Sequence, residues 1–193
     1  MSKIIFLFLL SLFFFNLHIC KDNDIPIIDN GYCGLNQKYY NTLEEVHADG
    51  TKVLHCGECG YCSNIYDINI YNETRNNLTY ATRECAWKSL FSENWSRSCM
   101  EKTIGFTDDC LECWMENILC DIKNCKWICL YSYLINEPYI DDDGNLNSCL
   151  QCDEDMCGPA FKHCAGANRR RSCIVSDIFR DEDTICKDCE SLE

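Results

Sequence analysis

The chain has 193 residues, of which 31 are acidic, 17 are Lys or Arg and 19 are Cys, with a formal charge of −14. Such acidity keeps a protein soluble and repels nucleic acid and anionic lipid, which argues against a nucleic-acid-binding role. The cysteine content, about one residue in ten, is the level that marks a disulfide scaffold in a secreted chain.

The chain begins MSKIIFLFLLSLFFFNLHIC, with Lys3 ahead of an apolar run from Ile4 to Phe15. That run is shorter than the roughly 20 residues needed to cross a bilayer, so residues 1–20 are expected to be a secretory signal peptide. Removing them takes away Cys20 and Lys3, leaving 18 cysteines, an even number, and a charge of −15. No later stretch approaches membrane length and the end, CKDCESLE, is polar. The expected location is therefore extracellular or inside a secretory organelle, with no direct membrane insertion.

Residues 21–55 hold one cysteine, Cys33, and polar, turn-rich sequence such as DNGYCG. They are expected to form an irregular N-terminal arm, with a short strand at Thr51–Leu54. Residues 56–193 read as a disulfide-rich helical domain, and the fold class is mainly α with little strand. In the stretch between Ser63 and Glu84, SNIYDINIYNETRNN reads as a poor helix. Two sequons lie there, at Asn72 and Asn77, and a third at Asn94, making these three asparagines candidate glycosylation sites on the surface.

Helical spacing begins near Leu78, where Tyr80, Glu84, Trp87 and Phe91 recur at three- and four-residue intervals after Thr79, a candidate N-cap. Thr107-Asp108-Asp109 then opens a helical segment running to about Asn136, with carboxylates in the first turn where the helix dipole favours them. At about 100° per residue, Cys110, Cys113, Cys120, Cys125 and Cys129 share half of the circumference with Trp127, Ile128, Tyr131 and Ile135. This predicts one helix, or two broken near Asp121–Asn124, with a buried face that is both packed and cross-linked. Gly158-Pro159 predicts another helix start and Gly166 its C-cap. A last short helix is predicted over Cys173–Phe179. The four tryptophans, Trp87, Trp95, Trp114 and Trp127, are core candidates; Trp95 lies within a sequon, which suits an exposed contact.

The stretch CGECGYC at 56–62 raises a choice of chemistry. Cys59-Gly60-Tyr61-Cys62 has thioredoxin-like spacing, but the strand–helix alternation of that fold is missing. Repeated CxxC pairs suit a four-thiolate zinc site only where thiols stay reduced, and secretion removes that condition. His47, His55 and His163 add no ligand pattern. The acidic loop Asp141-Asp142-Asp143-Gly144-Asn145 fails as an EF-hand, because Tyr139 and Leu150 fall where oxygen ligands are needed. The favoured reading is that Cys33, Cys56, Cys59, Cys62, Cys85, Cys99, Cys110, Cys113, Cys120, Cys125, Cys129, Cys149, Cys152, Cys157, Cys164, Cys173, Cys186 and Cys189 form disulfides. Pairing of 59 and 62 with distant cysteines is preferred to pairing with each other.

Arg169-Arg170-Arg171 is the only basic cluster in the acidic chain. It has three readings: ion pairing within the fold or a solvated turn, contact with an anion or an acidic partner, and a processing cleavage; with Trp95 the three arginines are the candidate partner contacts. No hydrolase, metalloprotease or phosphate-binding motif is present. The chain is expected to be a non-enzymatic secreted binding module, without metal or cofactor, that contacts a protein partner, itself anchored in a membrane or not. The alternative is a secreted enzyme, using either Cys59/Cys62 redox chemistry or paired carboxylates for hydrolysis. The signal peptide, the dense cysteines and Asn/Ile/Tyr-heavy spacers such as SNIYDINIYNETRNNLTY resemble small secreted cysteine-rich proteins of apicomplexan parasites, malaria parasites especially. That resemblance implies a part in parasite–host or cell–cell contact at a cell surface.

Overall fold

The computed structural model describes residues 30–178 and 184–190. The signal-peptide segment, the start of the arm and Phe179 lie outside them. Three short strands, β1 (Tyr32–Gly34), β2 (Tyr39–Tyr40) and β3 (Val53–Cys56), form an antiparallel sheet in the order β2-β1-β3. Tyr32 pairs with Tyr40 on one side and Cys56 on the other, and the β1–β3 register shifts between Cys33 and Gly34. Between β2 and β3 lies α1 (Leu43–Ala48), started by a capping box in which Thr42 accepts from the Glu45 amide and Glu45 reaches back. Tyr40, Val46 and Val53 close a small satellite core beneath this sheet. Residues 30–55 thus carry more regular structure than their polar composition suggested.

The remaining elements are helical: α2 (Ile65–Glu73), α3 (Leu78–Ala86), a 3-10 turn at Trp87–Leu90, α4 (Glu93–Thr103), α5 (Asp108–Asn124), α6 (Lys126–Leu134), α7 (Ser148–Met156) and α8 (Gly158–Ala165). The mainly helical, disulfide-rich class read from the sequence is what the structure shows. The sequence between Ser63 and Glu84, expected to be a poor helix, forms α2, because Asn64 accepts from the Asp67 amide and starts it. The next helix starts at Leu78, where the helical spacing begins, but its N-cap is Asn77, two residues before Thr79. It tightens at Trp87, so exposed Phe91 lies beyond the helix. No helix forms in the described residues of 173–178; Cys173 has φ +60 and is bridged to Cys189, which holds the segment as a turn.

The principal core surrounds α5, whose Leu111, Met115 and Ile118 pack with Tyr71, Leu78 and Met100. An aromatic chain runs through it: Phe106 stacks on Trp114 at 5.7 Å, and Trp114 meets Phe161 edge-on at 4.7 Å. Buried Asp67 joins α2 to the start of α5, accepting from the Thr107 amide at 2.8 Å, the Thr107 hydroxyl at 2.6 Å and Asn64 at 2.6 Å. α8 ends as predicted at Gly166, with φ +67; a Cβ there would lie 2.2 Å from the Gly60 nitrogen, so the chain crossing needs glycine.

All 18 described cysteines are paired in nine disulfides: 33–59, 56–186, 62–110, 85–99, 113–164, 120–157, 125–152, 129–149 and 173–189. Three of them, 120–157, 125–152 and 129–149, are successive rungs between the α5–α6 arm and α7. Each bridge that closes a long loop restricts the unfolded chain, by about 2–4 kcal/mol on the chain-entropy account. No helix among the described residues is long and apolar enough to cross a membrane.

Candidate functional site

The CGECGYC segment is a structural corner. Cys56, Cys59 and Cys62 go to three different partners, so Cys59 and Cys62 share no bond. The loop docks on the end of α8, with the Tyr61 and Cys62 amides donating to the carbonyls of Cys164 and Ala165. Beneath it, buried His55 donates from Nδ1 to the Cys56 carbonyl at 2.8 Å, and its Nε2 meets the Ser63 hydroxyl at 2.7 Å. Ser63 Oγ in turn accepts from the Gly60 amide. Burial pushes the His55 pKa down to about 4, with the nearby Arg171 charge adding to the effect.

The arginine cluster also turns inward. Arg169 pairs with Asp177 at 3.1 Å and donates to Thr79, Arg170 pairs with Glu154 at 3.0 Å, and buried Arg171 donates to the Lys162 and Gly166 carbonyls. Intramolecular pairing is thus what the three guanidinia do, and Arg171 presents no free surface for a partner. Trp95 is exposed on α4, and Asn72, Asn77 and Asn94 are exposed as well. Two clusters bring metal-ligating atoms together, Cys173/Cys186/Cys189 and Asp121/Cys125/Cys157, but every cysteine in them is oxidised and offers no thiolate. The Asp141 loop is organised by its own hydrogen bonds, with Asp141 accepting from the Asp143 and Asn145 amides.

Two features sit on opposite faces of α6. The sequence pattern places Trp127, Ile128, Tyr131 and Ile135 on the buried side of one helix, or of two broken near Asp121–Asn124. The structure has the break, at Cys125, which ends α5 and starts α6. The break turns these residues outward while Cys129 still reaches α7. Trp127 is 75 % exposed, Tyr131 62 % and Leu134 72 %, with Ile128 and Ile135 also exposed. Positions 127, 128, 131, 134 and 135 lie within an arc of about 120°, one continuous apolar stripe. Trp127 was expected in the core and is instead its most exposed member.

The inward face of α6 bounds a cavity of about 230 Å³ shared by α3, α5, α6, α7 and α8. Trp87, Trp114, Tyr133 and Phe161 form aromatic wall, and the Arg83 guanidinium lies over the Tyr133 and Tyr139 rings at 5.3 and 5.4 Å. On α5, one turn apart, are Asn117 and Asp121; Asn117 donates to Asp153 of α7 at 2.9 Å. Asp121 and Asp153 are hydrogen-bonded to each other, and burial, followed by the Asp153 charge, pushes the Asp121 pKa up to about 8. Both causes disfavour the ionised form of the Asp121 carboxyl. None of this was legible in the sequence, because the contributing residues are spread over the chain. The 120/125/129 and 149/152/157 cysteine spacings, near mirror images, are a signal from which the pairing of the α5–α6 arm with α7 could have been found.

Residues 93–188, from the first residue of α4 to just short of Cys189, match a family model described as "Family of unknown function (DUF8771)". No curated protein and no solved structure matches the chain. The matched segment contains the whole α6 stripe and both Asp121 and Asp153.

Proposed function

We propose that the protein is a secreted, disulfide-braced binding module that docks a protein partner at a cell surface through the outward stripe of α6. The observation that carries this reading is the five-residue apolar stripe, two aromatics included, left uncovered on a helix whose opposite face is cross-linked to α7. Large exposed apolar patches on small folded domains mark interaction sites, and Trp and Tyr are the residues that most often dominate binding energy. Residues recurring at i, i+1, i+4, i+7 and i+8 suit insertion into an apolar groove. The acidic chain, with Glu137, Asp141, Asp142 and Asp143 following the stripe, favours a groove rimmed by basic side chains. Nine disulfides suit an oxidising, extracellular setting. A parasite–host or cell–cell contact fits the resemblance drawn from the sequence.

The test is the double variant Trp127→Asp/Leu134→Asp, presented to cells that the wild type labels. Apparent affinity in labelling drops by about 30-fold for one hot-spot side chain of about 2 kcal/mol, and by about 700-fold where the two add. Unchanged labelling by a variant with all nine disulfides formed removes the α6 contact. A second reading, carboxylate-based hydrolysis, is favoured only by the adjacency of Asp121 and Asp153 at the cavity, where burial and the Asp153 charge raise the Asp121 pKa. It requires turnover of a substrate that is lost in Asp121→Asn.

A further inference from the structure

Residues 184–190 form a strap tied down by two disulfides, 56–186 to the end of β3 and 173–189 to the turn after the arginine cluster. The two bridges touch. Cys189 Sγ lies 3.7 Å from Cys186 Sγ, although each is bonded to another partner. The Sγ atoms of Cys173, Cys186 and Cys189 all fall within 4.8 Å of one another, and these residues and Cys56 are partly exposed. Cys125 and Cys157, from the rungs 125–152 and 120–157, also come within 4.8 Å of each other. Both are only 1 % exposed, so no thiol from solution reaches them.

Disulfides rearrange when a thiolate attacks one sulfur of a bridge and expels the other, at a rate governed by thiolate character and access. In the strap, the attacking and attacked atoms of such a step already stand in contact, and solvent reaches the bridges. That combination makes this pair of disulfides chemically different from the buried rungs.

We propose that the two strap bridges are an exchange switch that frees the C-terminal strap with no net change in oxidation state. A small thiol, as its thiolate, attacks Cys173 Sγ, forming a mixed disulfide there and expelling Cys189 as thiolate. Cys189 attacks Cys186 Sγ, forming a 186–189 bond and expelling Cys56 as thiolate. Cys56 attacks Cys173 Sγ, forming a 56–173 bond and returning the small thiol. Two disulfides exist before and after, and the thiol is a catalyst. The last step is local, because the Cys56 amide donates at 2.9 Å to the carbonyl of Arg171, two residues before Cys173.

The exchange changes what is tethered. The 56–173 bridge still closes a long loop across the body, whereas the strap keeps only a bond within itself. Among the strap's polar contacts, Tyr32 donates to Asp188 at 2.9 Å, His47 meets Glu190 at 3.2 Å, and the Val53 amide donates to Glu190 at 3.3 Å. Exposed contacts of this kind contribute little in water, so they do not hold the strap once both tethers are gone. Its departure uncovers the Val53 amide on β3, an edge strand of the sheet. This inference does not rest on the α6 stripe.

The experiment follows the full secreted protein by alkylation of free thiols and peptide mapping without reduction. In Cys173→Ser the partner of Cys189 is absent, so the relay needs no added thiol. The alkylation label is expected to shift with time from Cys189 to Cys56, as a peptide linked 186–189 appears. In the wild type, catalytic reduced glutathione is expected to give the 56–173 and 186–189 pairing and a loss of hydrogen-exchange protection at the Val53 amide, with 120–157 and 125–152 unchanged. If Cys173→Ser fails to fold, the wild-type measurements decide alone. The proposal is overturned if the label stays on Cys189 with 56–186 intact, or if glutathione produces no 186–189 bond. It is equally overturned if the Val53 amide stays protected after exchange, or if the buried rungs scramble as fast as the strap, which would mark general unfolding.

Discussion

Substituting His55 removes a loss of stability at low pH whose size follows from the surroundings of the imidazole. His55 is fully enclosed and neutral, donating to the Cys56 carbonyl and accepting at Nε2 from Ser63, whose oxygen already accepts from Gly60. A proton on Nε2 would confront that hydroxyl in the wrong sense and place a charge in a buried site beside Arg171. The folded pKa of about 4 lies below the unfolded value of about 6.5. Above pH 6.5 both states are neutral and the group does not affect stability. As pH falls from 6.5 through 4 the unfolded chain binds a proton that the folded one refuses, and stability declines. The full loss is about 3 kcal/mol, of which about 2 kcal/mol falls between pH 7 and pH 4.5. Guanidinium unfolding with the disulfides intact, at both pH values, measures it for the wild type and for His55→Gln. Carboxylate titrations are common to both proteins and cancel, so the wild type should show the steeper pH dependence by about 2 kcal/mol. Equal pH dependence in the two proteins would refute the argument.

Other outcomes follow from the same packing. Asp67→Ala strands the Thr107 amide and hydroxyl and the Asn64 amide group; the expected cost is about 3–5 kcal/mol, read as a lower guanidinium midpoint. A change below about 1 kcal/mol would show that α2 and α5 do not depend on this carboxylate. Gly166→Ala combines a positive φ with a Cβ pressed on the Gly60 backbone, for an expected loss of about 3 kcal/mol or more by thermal melting. Gly144→Ala, also at positive φ but with open space around the Cβ position, should cost only about 1 kcal/mol.

The features legible in the sequence were those written in local chemistry. Thr107-Asp108-Asp109 starts α5, although the Thr107 hydroxyl donates to Asp67 and caps no amide, and Gly158-Pro159 and Gly166 bound α8. The pairing of Cys59 and Cys62 with distant partners followed from secretion and an even count. The break between α5 and α6 was legible to within a residue, but the direction of α6 was not, because the periodicity was counted over the whole segment as if the helix ran straight through Cys125. A shift of that break turns Trp127 and Tyr131 from core to surface. The helix at 65–73 was hidden by Asn- and Tyr-rich composition, although Asn64 and Asp67 supply its start. Of the candidate contacts, the arginines were misleading: their charges looked available in one dimension, but Asp177 and Glu154 meet Arg169 and Arg170 only in three. The cavity requires five helices to be in place and has no linear signature.

Hydroxyl-radical footprinting of the protein on the cell surfaces it labels, with and without excess unlabelled competitor, tests the account most directly. It reads the side chains of Trp127 and Tyr131 themselves, with exposed Trp95 and Tyr61 as internal references. The account predicts that bound protein loses reactivity at Trp127, Tyr131 and Leu134 while Trp95 and Tyr61 keep theirs, and that competitor reverses the protection. Protection at Trp95 or Tyr61 with an unchanged α6 stripe would contradict it.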